Sequence, residues 1–169
     1  MKTNDFINSL CNNLMQAPLA GYTDVGFRYL CAKYNCGLIV SEMVSAMSLK
    51  QKNKVAFDML GMELPCETKS KVAVQLFGHD PNVFAEVVKY DEIQTFDAID
   101  INMGCPVPKV TRNGEGSALM LDPKKASAII EACVKNSGKP VSVNFAKAIP
   151  TTTLTPLSLQ KCVRTVVRV

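Results

Sequence analysis

Cys105 lies between Gly104 and Pro106, in a loop that follows a strand candidate. A thiol with an ordinary pKa near ~8.5 is mostly protonated at neutral pH and can give up a proton, although the same residue can equally be a small buried hydrophobe. Gln75 lies near the end of an apolar run; its amide donates and accepts at once, which suits the mixed edge of a flavin or a base, or the capping of backbone groups. In Ala17-Pro18-Leu19-Ala20, small residues would let a planar ligand lie close to the backbone, or Ala-Pro simply ends a strand. Ser41-Glu42 ends another run. His79, the only histidine, sits in Gly78-His79-Asp80-Pro81, where it is either a base or a surface or capping residue at a helix start. Lys109 and Arg112 follow Cys105 and either touch phosphate or are solvated.

The elements that must position these residues alternate. Residues 14–19 read as a strand, Thr23 or Asp24 as a helix cap, Phe27, Leu30, Cys31 and Tyr34 as a helical stripe, and Gly37 as its end. Leu38-Ile39-Val40 is a second strand, and a helix is expected near Ser48 to Asp58. Residues 72–76 form a third strand, after which Asp80 and Pro81 open a helix with Phe84, Val87 and Val88 on its buried face. Residues 98–102 are a fourth strand. Asp122 and Pro123 then open a helix carrying Ala126, Ile129, Ile130, Cys133 and Val134, closed by Gly138, and residues 140–143 begin a fifth strand. Repeated βαβ units without a GxGxxG fingerprint favour a (β/α)8 barrel over a dinucleotide fold. A full barrel has eight strands, so the expected fold is α/β, an incomplete TIM (β/α)8 barrel of about five parallel strands with an irregular C-terminal tail.

Composition bounds the rest. The chain has 169 residues, 47% of them hydrophobic, which is enough for one globular domain and excludes a disordered or collagen-like chain. Seven cysteines with no CxxC pair fit reduced thiols, mostly buried, rather than a disulfide frame or a metal site. No apolar run is long enough for a membrane span and the start lacks a signal-peptide layout, so a cytoplasmic protein with no membrane and no metal partner is expected. The net charge of +4 lies wholly in residues 144–169, where Lys147, Lys161, Arg164 and Arg168 meet no acid; it therefore argues little for a nucleic-acid partner.

Taken together, the strand-end residues resemble those of the flavin-dependent tRNA-dihydrouridine synthases, particularly the bacterial B-type branch. The segments that carry the resemblance are Ala17-Pro18-Leu19-Ala20-Gly21-Tyr22-Thr23-Asp24 with Phe27-Arg28, then Val40-Ser41-Glu42-Met43, Val74-Gln75-Leu76, and above all Asp100-Ile101-Asn102-Met103-Gly104-Cys105-Pro106 with Lys109-Val110 and Gly116-Ser117-Ala118. The likeness covers roughly residues 12–143. It implies an oxidoreductase that reduces uridine in tRNA with FMN, re-reduced by NADPH, from a parent enzyme that is monomeric. By resemblance, Pro18, Leu19, Ala20 and Gln75 touch FMN, Cys105 protonates C5 of the uracil while hydride reaches C6, and Asn102, Lys109 and Arg112 lie on the substrate side. The target base must leave its stack to reach the flavin. Another FMN barrel acting on a small substrate, such as a dihydroorotate dehydrogenase, and a non-enzymatic remnant are the alternatives.

The chain departs from the family after the fourth unit. The family's fifth strand continues with a flavin-contacting lysine and, two residues on, an arginine; here the positions hold Asn144 and Ala146. Permitted codons for Asn144 to Pro150, with one A restored in front, read Lys-Phe-Arg-Lys-Gly-Tyr-Thr, the continuation the family has. Residues 1–143 are therefore expected to be the N-terminal part of an FMN-binding barrel and 144–169 an out-of-frame tail, with activity impaired in this truncated form.

Overall fold

Along the central strands every second residue is aliphatic, and the computed structural model, which describes residues 3–145 apart from 62, 63, 65 and 66, gives the reason. Strands β1 (Met15–Gln16), β2 (Leu38–Ser45), β3 (Lys71–Phe77), β4 (Ala98–Asn102) and β5 (Val141–Asn144) pair in chain order, each parallel to the next. Helix α1 (Thr3–Asn8) precedes β1, and α2 (Val25–Lys33) links β1 to β2. Helices α3 (Ala46–Lys50) and α4 (Lys54–Asp58) lead to β3, and α5 (Pro81–Val87) and α6 (Asp91–Gln94) to β4. Between β4 and β5 come α7 (Pro108–Thr111), a 3-10 segment (Gly116–Leu121) and α8 (Pro123–Ser137). A strand order that never reverses is that of a barrel wall, and the sheet is a curled, incomplete barrel.

The alternation sorts residues between two faces. Val72, Val74 and Leu76 of β3, Ile99 and Ile101 of β4 and Val141 of β5 pack against Val83, Phe84 and Val87 of α5 and Ala126, Ile129, Ile130 and Cys133 of α8 in the main core. The opposite face is divided along its length. Leu38, Val40, Ala73 and Ala98 form a small apolar cluster closed by Phe6 of α1. Further toward the strands' C-terminal ends the same face carries Gln75, Asp100, Asn102, Ser142 and Asn144, so polar groups collect at one end of the barrel wall.

Helix starts follow the expected caps. Asp24 accepts from Phe27 N at 2.9 Å, Asp80 from Asn82 N at 2.9 Å and Asp122 from Lys125 N at 3.0 Å. The expected helix over 48–58 is two helices, because the side chains of Ser45 and Asn53 each cap a new start. Strand β1 is shorter than residues 14–19: among the described residues it has a strand neighbour on one side only, and Pro18 has no N–H to give a ladder. Gly37 does not end α2, which stops at Lys33 with Asn35 in the left-handed region. Gly37 instead lets two backbones meet, since a Cβ there would fall 2.2 Å from the carbonyl oxygen of Asn12.

Two expectations are corrected. The stripe on α2 is not buried: Phe27, Leu30 and Tyr34 are 43%, 51% and 79% exposed, and the helix buries Arg28 and Ala32 instead. This unit stands at the sheet's edge, where no described strand pairs with β1 on the far side. Of the five described cysteines only Cys133 is buried; Cys11 is exposed and Cys31, Cys36 and Cys105 are intermediate. Apart from Asn144 and Phe145, the tail assigned to 144–169 lies outside the described residues, as do Cys66 and Cys162.

Phe84→Ala, at a fully buried position, is expected to cost about 3–5 kcal/mol in urea unfolding. Leu30→Lys, on the open face of α2, is expected to change stability by less than about 0.5 kcal/mol. A large loss at Leu30 would mean that this face is covered in solution.

Candidate active site at the strand ends

The parallel register places Gln75 opposite Asp100, Asp100 opposite Ser142 and Asn102 opposite Asn144. Adjacent side chains on one face of paired strands are within reach of each other, and here they form a continuous hydrogen-bonded ladder. Ser142 Oγ donates to Asp100 Oδ1 at 2.5 Å, and Gln75 Nε2 donates to Asp100 Oδ2 at 2.6 Å. Asn102 Nδ2 donates to Gln75 Oε1 at 2.9 Å. Asn102 Oδ1 in turn accepts from the backbone N–H of Gly104 at 3.3 Å and of Cys105 at 3.0 Å. The ladder leads from the barrel wall to the peptide that carries the thiol.

Gln75 and Asp100 are buried, at 1% and 6% exposure. Burial pushes the Asp100 carboxyl above its usual range, while the hydrogen bonds from Gln75 and Ser142 pull the other way. Neither Asp100 nor Ser142 stands out in the sequence as a site residue. The signal that would have found Asp100 is its two-residue spacing from Asn102, which puts both on one face of β4; Ser142 is reached only through the pairing of β4 with β5.

The loop after β1 forms the near wall. Leu19 N donates to Thr23 Oγ1 at 3.1 Å, and Gly21 N donates to Glu42 Oε1 at 2.6 Å, which ties the loop to β2. Arg28, 2% exposed, donates from Nη1 to the Thr23 carbonyl at 2.6 Å and from Nη2 to that of Gly61. Desolvation lowers the Arg28 pKa, partly offset by Glu42 and Asp24. Its role is to hold the loop backbone from below.

A cleft of about 270 Å³ opens above the ladder, lined by Pro18, Leu19, Ala20, Met43, Gln75, Asn102, Gly104, Cys105 and Asn144. The structure thus brings together Pro18, Leu19, Ala20, Gln75, Asn102 and Cys105. A second cleft of about 720 Å³ shares Ala20, Met43 and Cys105 with the first and is walled by methionines, Val55, Phe77, Val107, His79, Lys109 and Glu115. Its volume is within the range of small-molecule sites. Cys105 stands where the two meet. Arg112 is not brought in: it caps the end of α7, is exposed, and lines neither cleft. His79 does not cap α5, a task that falls to Asp80; its Nδ1 lies 3.0 Å from Oε1 of the buried Glu115. Among the described residues no three His, Cys, Asp or Glu gather to hold a metal, and no helix is long and apolar enough to cross a membrane.

The residues present fit the ring of a flavin better than its phosphate. Small side chains and a fixed amide line the first cleft, and none of its lining residues, Asn144 included, carries a positive charge. Because the folded-state pKa of Asp100 is raised, its contribution to stability is fully present below the unfolded carboxyl value and is lost as pH rises through the raised one. In urea unfolding at a series of pH values, wild type is expected to compare best with Asp100→Asn at the acid end and to lose ground as pH rises. A difference that does not change with pH would contradict burial as the cause of the shift.

The family model described as "Dihydrouridine synthase (Dus)" matches residues 15–163, and so runs on into the segment read as out of frame. The "tRNA-dihydrouridine synthase B" of Pseudomonas putida is 40% identical over 138 residues, 81% of this chain and 40% of that protein. Its counterpart in Vibrio cholerae is 38% identical over 134 residues, 79% of this chain and 41% of that protein. A "Probable tRNA-dihydrouridine synthase" of Rickettsia bellii is 38% identical over 136 residues, 80% of this chain and 41% of that protein. The chain therefore spans about two fifths of the length of these curated relatives. On the family match and the strand-end residues alike, the chain belongs to the dihydrouridine synthase family.

Proposed function

We propose that residues 1–143 carry the flavin-side half of an enzyme that reduces uridine to 5,6-dihydrouridine in tRNA, with Cys105 as the proton donor. The observation that carries the reading is the position of Cys105: partly exposed, at the junction of the two clefts, with its N–H held by Asn102. Pro18, Leu19, Ala20 and Gln75 would hold FMN in the smaller cleft. Bound there and reduced by NADPH, FMN supplies the reducing equivalent that reaches C6 of the uracil.

The protein's own contribution is positional and acidic. Gln75 keeps one amide hydrogen and one lone pair beyond its ladder bonds, enough to meet a mixed donor and acceptor edge. The larger, methionine-walled cleft would take the flipped uridine, with Lys109 near the entering phosphates. Cys105 gives its Sγ proton to C5 as C6 is reduced, and the thiolate regains a proton from water. The product carries two more hydrogens than the substrate, one from each source. A cytoplasmic, monomeric enzyme with tRNA as its partner follows from this reading.

Asn144 is uncharged where the family has a flavin-contacting lysine, so the 169-residue chain itself should retain little FMN and little activity. We assign residues 144–169 to an altered reading frame for the same reason. Sequencing the gene across codon 144 is expected to reveal that restoring one base opens the family's continuation. A stop codon within the first few codons of that frame would contradict the assignment.

A full-length protein carrying residues 1–143 is expected to add two hydrogens to uridine in a tRNA transcript, given FMN and NADPH, as read by nucleoside mass spectrometry. Reduction of a small pyrimidine acid with tRNA left unmodified would instead favour another FMN barrel oxidoreductase.

A further inference from the structure

The peptide of Cys105 is held at both ends, and only one end is explained by the ladder. Its N–H donates to Asn102 Oδ1 at 3.0 Å, and its carbonyl accepts from Ser117 N at 3.0 Å. Ser117 belongs to the stretch where the long loop returns to the sheet. Gly116, just before it, has a φ of +58° and no room for a side chain: a Cβ would fall 2.7 Å from the Cys105 carbonyl oxygen and 2.9 Å from Val110 Cγ1. The return of the loop is thus pressed directly against the thiol-bearing residue.

Glu115, one residue earlier, is 6% exposed in a protein whose other described Glu side chains are all more exposed. A carboxylate held out of water needs a donor. The side-chain partner it has is His79, at 3.0 Å, from the neighbouring loop after β3. His79, Glu115 and Cys105 line the same large cleft.

We propose that His79 and Glu115 form a positioning pair that clamps the loop after β4 to the loop after β3 and so fixes where the Cys105 sulfur sits. With Nδ1–H donating to the carboxylate, Glu115 anchors Gly116 and Ser117, and these two hold the Cys105 carbonyl while Asn102 holds its N–H. His79 is a positioning residue rather than the acid. The catalytic purpose of the clamp rests on the reading of Cys105 as proton donor; the clamp itself can be tested without flavin, tRNA or turnover.

The test is the rate of iodoacetamide alkylation of each cysteine in the 169-residue chain, followed by peptide mass spectrometry. Exposed Cys11 serves as the reference and Cys133, buried in the core at 0% exposure, as the report on folding. Glu115→Ala and His79→Ala are expected to speed alkylation of Cys105 relative to Cys11 about fivefold, the scale of one lost hydrogen bond, with Cys133 still protected. Glu115→Gln, which keeps an acceptor for His79, should return the rate most of the way to wild type. Gly116→Ala should alter the Cys105 rate by a separate route, through its clash with the Cys105 carbonyl. Unchanged Cys105 rates in the alanine variants would overturn the proposal, and so would Cys105 and Cys133 becoming reactive together, since the pair would then hold the whole domain rather than the loop. If these rates shift as expected but a full-length enzyme makes no dihydrouridine, the proton-donor reading fails and the clamp stands. If dihydrouridine is made and the rates do not shift, the clamp fails alone.

Discussion

A carboxylate accepts hydrogen bonds and cannot donate them, and that asymmetry at Asp100 orients the side chains above it. Asp100 faces Gln75 Nε2 and Ser142 Oγ, so Gln75 must point its oxygen the other way, toward Asn102 Nδ2. Asn102 is then left with its oxygen toward the chain, where the N–H groups of Gly104 and Cys105 find it. Each bond contributes only about 1 kcal/mol net, but an orphaned buried donor costs about 1–3 kcal/mol, so reversing one amide disfavours the whole arrangement. A single buried acid thereby sets the donor and acceptor pattern that a ligand in the smaller cleft would meet.

The barrel wall makes such an acid tolerable. Its helix-facing side is built from aliphatic residues of β3, β4 and β5 against α5 and α8, which supplies the stability, while the other side can be apolar at one end and polar at the other. The two loops that form the cleft are secured by different means. Buried Arg28 and the bond from Gly21 to Glu42 hold the loop after β1, and backbone contacts through Gly116 and Ser117 hold the loop after β4. The open face of α2, with Leu30 and Tyr34 exposed, shows that the described part of the wall has an edge at β1.

Much of this was legible in the residues, and what was not has physical reasons. Residues 98–102 form β4 as the pattern predicts, because Ile99 and Ile101 alternate with Asp100 and Asn102 at the period of two that a strand requires. Helix α8 begins and ends where Asp122, Pro123 and Gly138 predict, since caps are local chemistry. Helix α2 misled because the periodicity of Phe27, Leu30 and Tyr34 reports a face suited to burial, whereas burial also needs a neighbour. The pairs Gln75–Asp100 and His79–Glu115 are separated by 25 and 36 residues, and only the register of the sheet and the return of a loop bring them together. Family resemblance pointed to Cys105 and Gln75 but left Asp100, Ser142 and Glu115 without a role.

The central claim is that the thiol at the junction of the two clefts is the acid in uracil reduction. The most direct measurement is single-turnover oxidation of reduced FMN by unmodified tRNA, comparing a full-length protein carrying residues 1–143 with its Cys105→Ala variant. The account predicts equal flavin content and a rate lower by about 10²-fold or more in the variant, the usual size of a lost general acid. Equal rates with equal flavin content would contradict it.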